Sequence, residues 1–399
     1  MAGVSRIGGG WSQGLKLLFW FCFFAVGYTL IGYPLWLWVL AKVRPKPVRK
    51  QCPSCPEDLP TVSVIVVVRN EAGRIERRLT NLLEQTYPPS KMQVIVVDDG
   101  STDDTAIRVQ SWMETRSDEC TFLLIRHAAS RGKAFGIDSA VERTTGDILV
   151  FCDARQRFAK DTLLYLVLNF ADPHVGCVSG ELVFETTEGS DIQVEMGSYW
   201  NFEKWVRSLE SQTGSVAGAT GAVYAIRKSL FRPIPVQTIL DDVLIPMHAA
   251  LQGYRIVFDH EARAYDVVSK DMQQEGRRKI RTLAGNWQLL VLEPNLANPL
   301  KNPIWFRFLS HKICRLLVPY WGICMAICAL IIRDAVSIVF LAAFSGMLGL
   351  SVAPVSKRLS SGSLVGKALR MVRSAVWLYA FAAIAPFRLL FSPKSLWSS

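Results

Sequence analysis

Apolar and polar positions follow two contrasting patterns along this chain. Leu17 to Ala41 is a run of 25 residues without a charge, bracketed by Lys16 and Lys42. Leu316–Ile332 and Ala335–Ser356 are uncharged runs of 17 and 22 residues, separated by Arg333-Asp334. As helices, runs of about 20 apolar residues reach across a ~30 Å hydrocarbon core. Ser374–Phe387 holds 14 uncharged residues before Arg388; it spans if Arg388 snorkels to the interface. Between 58 and 300 the pattern is shorter. Val62–Val68, Gln93–Val97, Phe122–Ile125, Ile148–Phe151 and Val175–Val178 are brief aliphatic runs bounded by polar residues, the mark of strands buried on both faces of a parallel sheet. Ile75, Leu79, Leu82 and Leu83 predict a helix over 75–85, and further helices are expected from Asp103, after Lys133 and over Val243–Gln252. Such alternation predicts an α/β fold with right-handed crossovers and a ligand crevice at the carboxyl ends of the strands.

Composition adds that half of the residues are hydrophobic, which excludes a disordered chain, and mean hydropathy is +0.22. The net charge of +11 belongs to the two ends. Residues 301–399 hold 12 lysines and arginines against one acid, and residues 1–60 seven against two, which leaves the middle at −5. A nucleic-acid partner is not expected, because it would need a basic face on the folded domain. Five positive charges over Lys42–Lys50 place the domain after the first span in the cytoplasm. The first run is too long for a signal peptide and reads as a retained anchor. The expected division is an anchor and basic linker over 1–57, an α/β domain over 58–300, and an integral-membrane region of two or three helices over 301–399. Nine cysteines, an odd number, are scattered through the chain, as in a reduced compartment. The lone Cys52-Pro-Ser-Cys55 pair lacks the further ligands of a zinc site.

Candidate chemistry sits at strand ends. Asp98-Asp99-Gly100-Ser101 follows the second strand, where carboxylates can hold a nucleoside; Gly100 permits a tight turn, and Ser101 or Asp103 can cap the next helix. Asp153 follows the strand ending at Phe151 and can reach a metal or a diphosphate. Asp241-Asp242 precedes a helix, where an acid serves either as a cap favoured by the helix dipole or as a general base. Lys133 can meet a phosphate as a point charge. Gly218-Ala-Thr220-Gly-Ala222 is a small-residue turn that lets backbone approach a ligand. Gly276-Arg-Arg-Lys-Ile-Arg281 either clamps a diphosphate or lies on anionic lipid. Tyr199, Phe202, Val206 and Leu209 share a helical face, with Trp200 and Trp205 on others; they read as a core helix or as a platform for stacked sugar rings.

In this order and spacing, Val64–Asn70-Glu71, Asp98–Ser101, Gly132-Lys133, Asp153-Ala-Arg155, Gly218–Ala222, Asp241-Asp242 and Arg277–Arg281 resemble a membrane-integrated family 2 glycosyltransferase, a relative of cellulose, hyaluronan and poly-N-acetylglucosamine synthases. The resemblance implies a GT-A fold (Rossmann-like, with a mostly parallel sheet) in the cytosolic domain, a nucleotide-sugar donor, by preference a UDP-sugar, and an inverting transfer. It assigns Glu71 and Asp98 or Asp99 to the nucleoside, Lys133 to the diphosphate, and Asp153 to the first acid of the DxD motif and hence to a divalent Mg²⁺ or Mn²⁺. Asp242, with Asp241 beside it, takes the place of the general base. Arg278 and Arg281 stand where processive members carry Gln-x-x-Arg-Trp, on the donor side, and Gly218, Thr220, Trp200 and Trp205 fall on the acceptor side.

Three departures qualify the expectation. The second DxD acid is Arg155, which puts metal dependence in doubt and suggests that this guanidinium carries part of the metal's charge. The Thr-Glu-Asp motif reads Leu-Asp-Asp. Gln-x-x-Arg-Trp keeps Arg281 but has Thr282 in place of the Trp, which puts processive polymerisation in doubt. Three functions are compatible with these residues: transfer to a growing glycan at the membrane; transfer of a single sugar to a lipid such as ceramide or polyprenyl phosphate; and a catalytically silent scaffold.

Overall fold

In the computed structural model, which describes residues 5–51, 55–116, 118–185, 191–267, 272–352 and 364–391, the buried aliphatic runs form the centre of one sheet. Val62–Val68 (β1), Met92–Asp98 (β2), Thr121–Arg126 (β3) and Ile148–Cys152 (β4) are parallel, in the order β3-β2-β1-β4. Ile75–Leu83 (α3), Thr105–Glu114 (α4) and Lys133–Val141 (α5) connect them. Two cores result. Val64, Val66, Val94 and Val96 face Leu79 and Val109 on one side, and Ile65, Ile95 and Val97 face Ile137 and Ala140 on the other.

The other half of the sheet is mixed. Arg157–Phe158 (β5) and Thr162–Leu168 (α6) lead to Val175–Glu185 (β6), Tyr224–Arg227 (β7) and Arg255–Val267 (β8), which extend the order as β4-β7-β6-β8-β5. β7 runs antiparallel to both β4 and β6, and β8 runs parallel to β6 with two register shifts. The sequence pattern shows β6 only in its first four residues and misses β7 and β8. In β8 the charges of Arg255, Asp259, Glu261 and Arg263 interrupt the apolar run. Asp259 is nonetheless buried, against Lys50 at 2.9 Å and Asn169 at 2.6 Å.

Asp191–Thr213 (α7), Asp241–Leu251 (α8) and Met272–Leu292 (α9) complete this domain. Val206 and Leu209 of α7 pack on Tyr33 and Leu37, so that helical face is core; the side chain of Tyr199 lies outside the described residues.

The apolar segments are helices: Ser5–Gly27 (α1), Tyr33–Val43 (α2), Trp305–Phe308 (α10), Cys314–Ile332 (α11), Ala335–Val352 (α12) and Leu364–Phe391 (α13). Ser12–Val43, Trp305–Ile332 and Val372–Phe391 are long and apolar enough to cross a membrane, and Ala335–Ser351 is a shorter apolar helix. Arg333 closes α11 in a left-handed conformation, and Lys16 reaches Asp334 at 3.1 Å. The middle of α1 therefore lies beside the turn between α11 and α12. Two π-helical turns, Tyr28–Gly32 and Leu309–Ile313, meet where the Tyr28 hydroxyl lies 2.7 Å from Ser310 Oγ. Cys52 and the end of the run at Ser356 lie outside the described residues.

Candidate active site

The carboxyl ends of β1 and β2 are tied together by polar side chains. Asn70, left-handed at φ 55°, accepts from Thr102 N at 2.8 Å, and its own N–H donates to Ser101 Oγ. Glu71 N donates to Thr105 Oγ1, while the Glu71 carboxylate pairs with Arg74 at 3.1 Å. Neither Ser101 nor Asp103 is the N-cap of α4, which is Asp104; Asp103 stands one residue earlier and accepts from Thr105 N at 3.0 Å.

Asp98 and Asp99 are both buried but differently used. Asp98 accepts one bond, from Ser101 N at 3.1 Å. Asp99 holds the loop before α5. It accepts from Ser130 Oγ at 2.7 Å and from Arg131 N and Gly132 N at 2.9 Å each, with His127 Nδ1 at 3.2 Å. Burial pushes its pKa up, but these hydrogen bonds outweigh burial and hold it below the usual carboxylate range. Gly100 makes the approach possible. Its φ is +68°, and a Cβ there would stand 2.5 Å from Ser130 N.

That loop delivers Lys133, the first residue of α5. Its ammonium lies 3.0 Å from Asp153 Oδ1 and 3.2 Å from Asp241 Oδ2. Burial lowers its pKa, and Asp153, Asp241 and Asp242 together raise it well above the ordinary lysine value. The cation is therefore permanent and joins the end of β4 to the start of α8.

Asp242 sits one residue further into α8. Its Oδ2 accepts from Gly221 N at 2.8 Å, and its backbone carbonyl accepts from Ala219 N at 2.7 Å. The Gly218–Ala222 turn thus wraps the carboxylate. Gly218 has φ +123°, and a Cβ on Gly221 would meet Asp242 Oδ2 at 3.2 Å. Thr220 N donates to Ser179 Oγ, which also accepts from Arg207 at 2.7 Å. Burial and then Asp241 push the Asp242 pKa up to about 6, against the pull of Lys133, Lys312 and the Gly221 N–H. A partly buried carboxylate tuned towards neutrality is suited to taking a proton.

Other expected residues fall elsewhere. Arg155 turns to the buried Asp266 of β8, which also accepts from Gln156 at 3.0 Å, and not to Lys133 or Asp153. Arg278 lines a pocket with Arg155, while Arg281 is half-buried on α9. Trp200 donates its indole N–H to Leu182 O of β6 at 2.9 Å, whereas Trp205 is 41% exposed.

Several contributors escape sequence reading. Gln288 of α9 accepts from Ile239 N and donates to Gln237 O, bracing the approach to Asp241. Gly285 lets α9 close on Leu240, since a Cβ there would stand 2.6 Å from it. On α7, Glu203 and Glu210 both bind His311 of the second π turn, at 2.8 and 2.9 Å, and Tyr33 and Arg315 join them. The spacing of Glu203, Arg207 and Glu210 along one helical face was the available signal. This network fastens the apolar helices to the α/β domain, and its neighbour Lys312 acts on Asp242.

The chain's fit to a divalent cation is limited. Among the described residues no three His, Cys, Asp or Glu side chains gather into a metal site. Asp153, whose side chain is 41% exposed, is the open carboxylate of the cluster. One or two carboxylates suffice when substrate phosphates supply the remaining ligands, so the donor set fits a cation that arrives with a diphosphate.

Asp98 and Asp153 at strand ends, Lys133 at the start of α5 and an acid pair opening α8 are thus gathered at one end of the buried sheet. Residues 63–234 match the family model described as glycosyl transferase family 2; the match ends before Asp241. The chain is 22% identical over 239 residues to the poly-β-1,6-N-acetyl-D-glucosamine synthase of Staphylococcus aureus (59% of this chain), and spans 57% of that relative's length. It is 26% identical over 311 residues to an N-acetylglucosaminyltransferase of Rhizobium meliloti, 70% of this chain and 72% of that one. Among solved structures, the mannosyltransferase PcManGT of Pyrobaculum calidifontis, in complex with GDP-Man and Mn²⁺, superposes with a TM-score of 0.69 at 25% identity. That match covers 92% of this chain and 98% of the other. The expected GT-A-type α/β fold with added apolar helices is what the structure has.

Proposed function

We propose that this protein is an inverting, membrane-embedded glycosyltransferase that moves a sugar from a nucleoside-diphosphate donor to a growing glycan. The observation that carries the reading is the Asp242 carboxylate, raised to about 6 and held by Gly221 N–H beside the Lys133 cation. Asp242 takes the proton from an acceptor hydroxyl as its oxygen attacks the anomeric carbon. The bond from that carbon to the diphosphate oxygen breaks on the opposite face, and the nucleoside diphosphate leaves. Positioned general bases contribute roughly 10²–10⁴-fold. Lys133 stabilises the charge that develops on the leaving group, while Asp98 and Glu71 border the nucleoside. A divalent cation, when bound with the donor and held by Asp153, supplies further electrostatic stabilisation of that diphosphate. The catalytic domain faces the cytoplasm, on the same side as the basic linker.

Two features favour transfer of a single sugar to a lipid as the second reading. Thr282 stands where processive relatives have Trp, and the likeness to a mannosyltransferase runs over nearly the whole chain. The test uses the full chain in lipid nanodiscs with radiolabelled UDP- and GDP-sugars, in Mg²⁺, Mn²⁺ or EDTA. Polymeric product that vanishes with Asp242→Asn supports the first reading. A lipid bearing one sugar supports the second. Transfer that survives Asp242→Asn contradicts both.

A further inference from the structure

Beside the loop that joins β4 to β5 lies a pocket of about 510 Å³ lined by six arginines: Arg74, Arg77, Arg78, Arg155, Arg157 and Arg278. Arg74, Arg77 and Arg78 come from the start of α3, at a spacing that puts them on one face. Arg155 and Arg157 flank the loop, and Arg278 comes from α9. Two carboxylates, Glu185 and Asp266, also line the pocket, and each is already engaged, by Arg157 at 2.8 Å and by Arg155. Arg74 leans on Glu71.

Arg78 is the decisive residue. It is 2% exposed, and its guanidinium lies 3.9 Å from the centre of the Phe158 ring. Nη1 donates to Asn81 Oδ1 and Gln156 O at 3.1 Å each, whereas Nε and Nη2 have no hydrogen-bond partner among the described residues. Neither Arg78 nor Arg77 has a carboxylate within ion-pair distance among the described residues. A buried cation without a counter-charge is strongly unfavourable, and Arg77 beside it adds a second charge with no carboxylate in ion-pair range among the described residues. An anion in the pocket would offset both. Planar guanidinium forks converging from three elements match phosphate oxygens in bidentate fashion, and the volume suits a small organic ligand.

We propose that this pocket binds a phosphate-bearing ligand, distinct from the sugar donor at the Lys133–Asp242 cluster. The same short loop carries Asp153 on the donor side and Arg155 in the pocket. Occupancy would therefore fix the position of Asp153 and tighten donor binding. The ligand is either the phosphate of a membrane lipid or a soluble phosphate compound.

The test measures pyrophosphate binding by calorimetry on the full chain in phosphatidylcholine nanodiscs, in a Lys133→Met background that weakens the donor site. The proposal expects saturable binding that Arg77→Glu weakens at least tenfold; Arg77 is exposed, so the variant should fold even if Arg78→Met does not. Competition by phosphatidic acid in the nanodisc identifies a lipid source, and no competition identifies a soluble one; both uphold the site. Loss of all pyrophosphate binding in Lys133→Met, or binding indifferent to Arg77→Glu, overturns it.

Discussion

Two pairs of adjacent aspartates open onto the same crevice, and the fold uses them in opposite ways. At the end of β2, Asp99 is saturated by donors from the Ser130–Gly132 loop, so its charge is fixed and its work is structural. At the start of α8, Asp242 keeps a single side-chain bond among the described residues, from Gly221 N, and has Asp241 beside it in a partly buried site. Hydrogen bonding lowers one acid and burial raises the other. Identical side chains thus become a loop clamp and, in the function proposed above, a proton acceptor through their surroundings alone.

The comparison breaks most sharply at the base. Asp242→Asn is expected to cut sugar transfer roughly 10²–10⁴-fold with little loss of thermal stability, measured by product formation beside a melting curve. Asp99→Ala is expected to do the reverse in origin. Arg131 N, Gly132 N and Ser130 lose a charged acceptor, so unfolding should cost about 2–4 kcal/mol less, read by denaturant titration, and activity falls only because Lys133 loses its placement. Gly100→Ala strikes the same clamp through the backbone. With φ +68° and a Cβ 2.5 Å from Ser130 N, it should lose about 1–3 kcal/mol.

The smallest expected effect is the sign of the pH dependence of stability. The Asp99 pKa is depressed in the fold, so its stabilisation is present above the unfolded value near 4 and disappears as pH falls through the folded one. Asp242 is raised to about 6, so its contribution is present below the unfolded value and lost as pH climbs through 6. Melting temperatures of Asp242→Asn between pH 4 and 7 should lack that downward component.

The sequence made the parallel half of the domain legible. Val62–Val68, Met92–Asp98 and Ile148–Cys152 are buried on both faces, so their composition announces them, and strand ends locate Asp98, Asp99 and Asp153 without further information. β8 stayed hidden because its charges are neutralised by residues distant in sequence, such as Lys50 against Asp259. Arg155 is the instructive case. Its place in the motif points to the diphosphate, but its direction is set by Asp266, 111 positions away. Likewise, only the folded chain brings Glu203 and Glu210 to His311, or arranges the α3 arginines around Arg155. Motif spacing specifies which residues reach the crevice; long-range ion pairs decide which way they face.

The most direct test of the central claim is the pH profile of kcat/KM for sugar transfer, in wild type and in Asp241→Asn. With Asp242 as a base raised by burial and by Asp241, the rate should fall tenfold per pH unit below about 6 and level off above it. In Asp241→Asn, with the neighbouring charge removed, the break should move to lower pH. A profile flat from pH 5 to 7, or a break that stays in place when Asp241 is neutralised, would contradict the account.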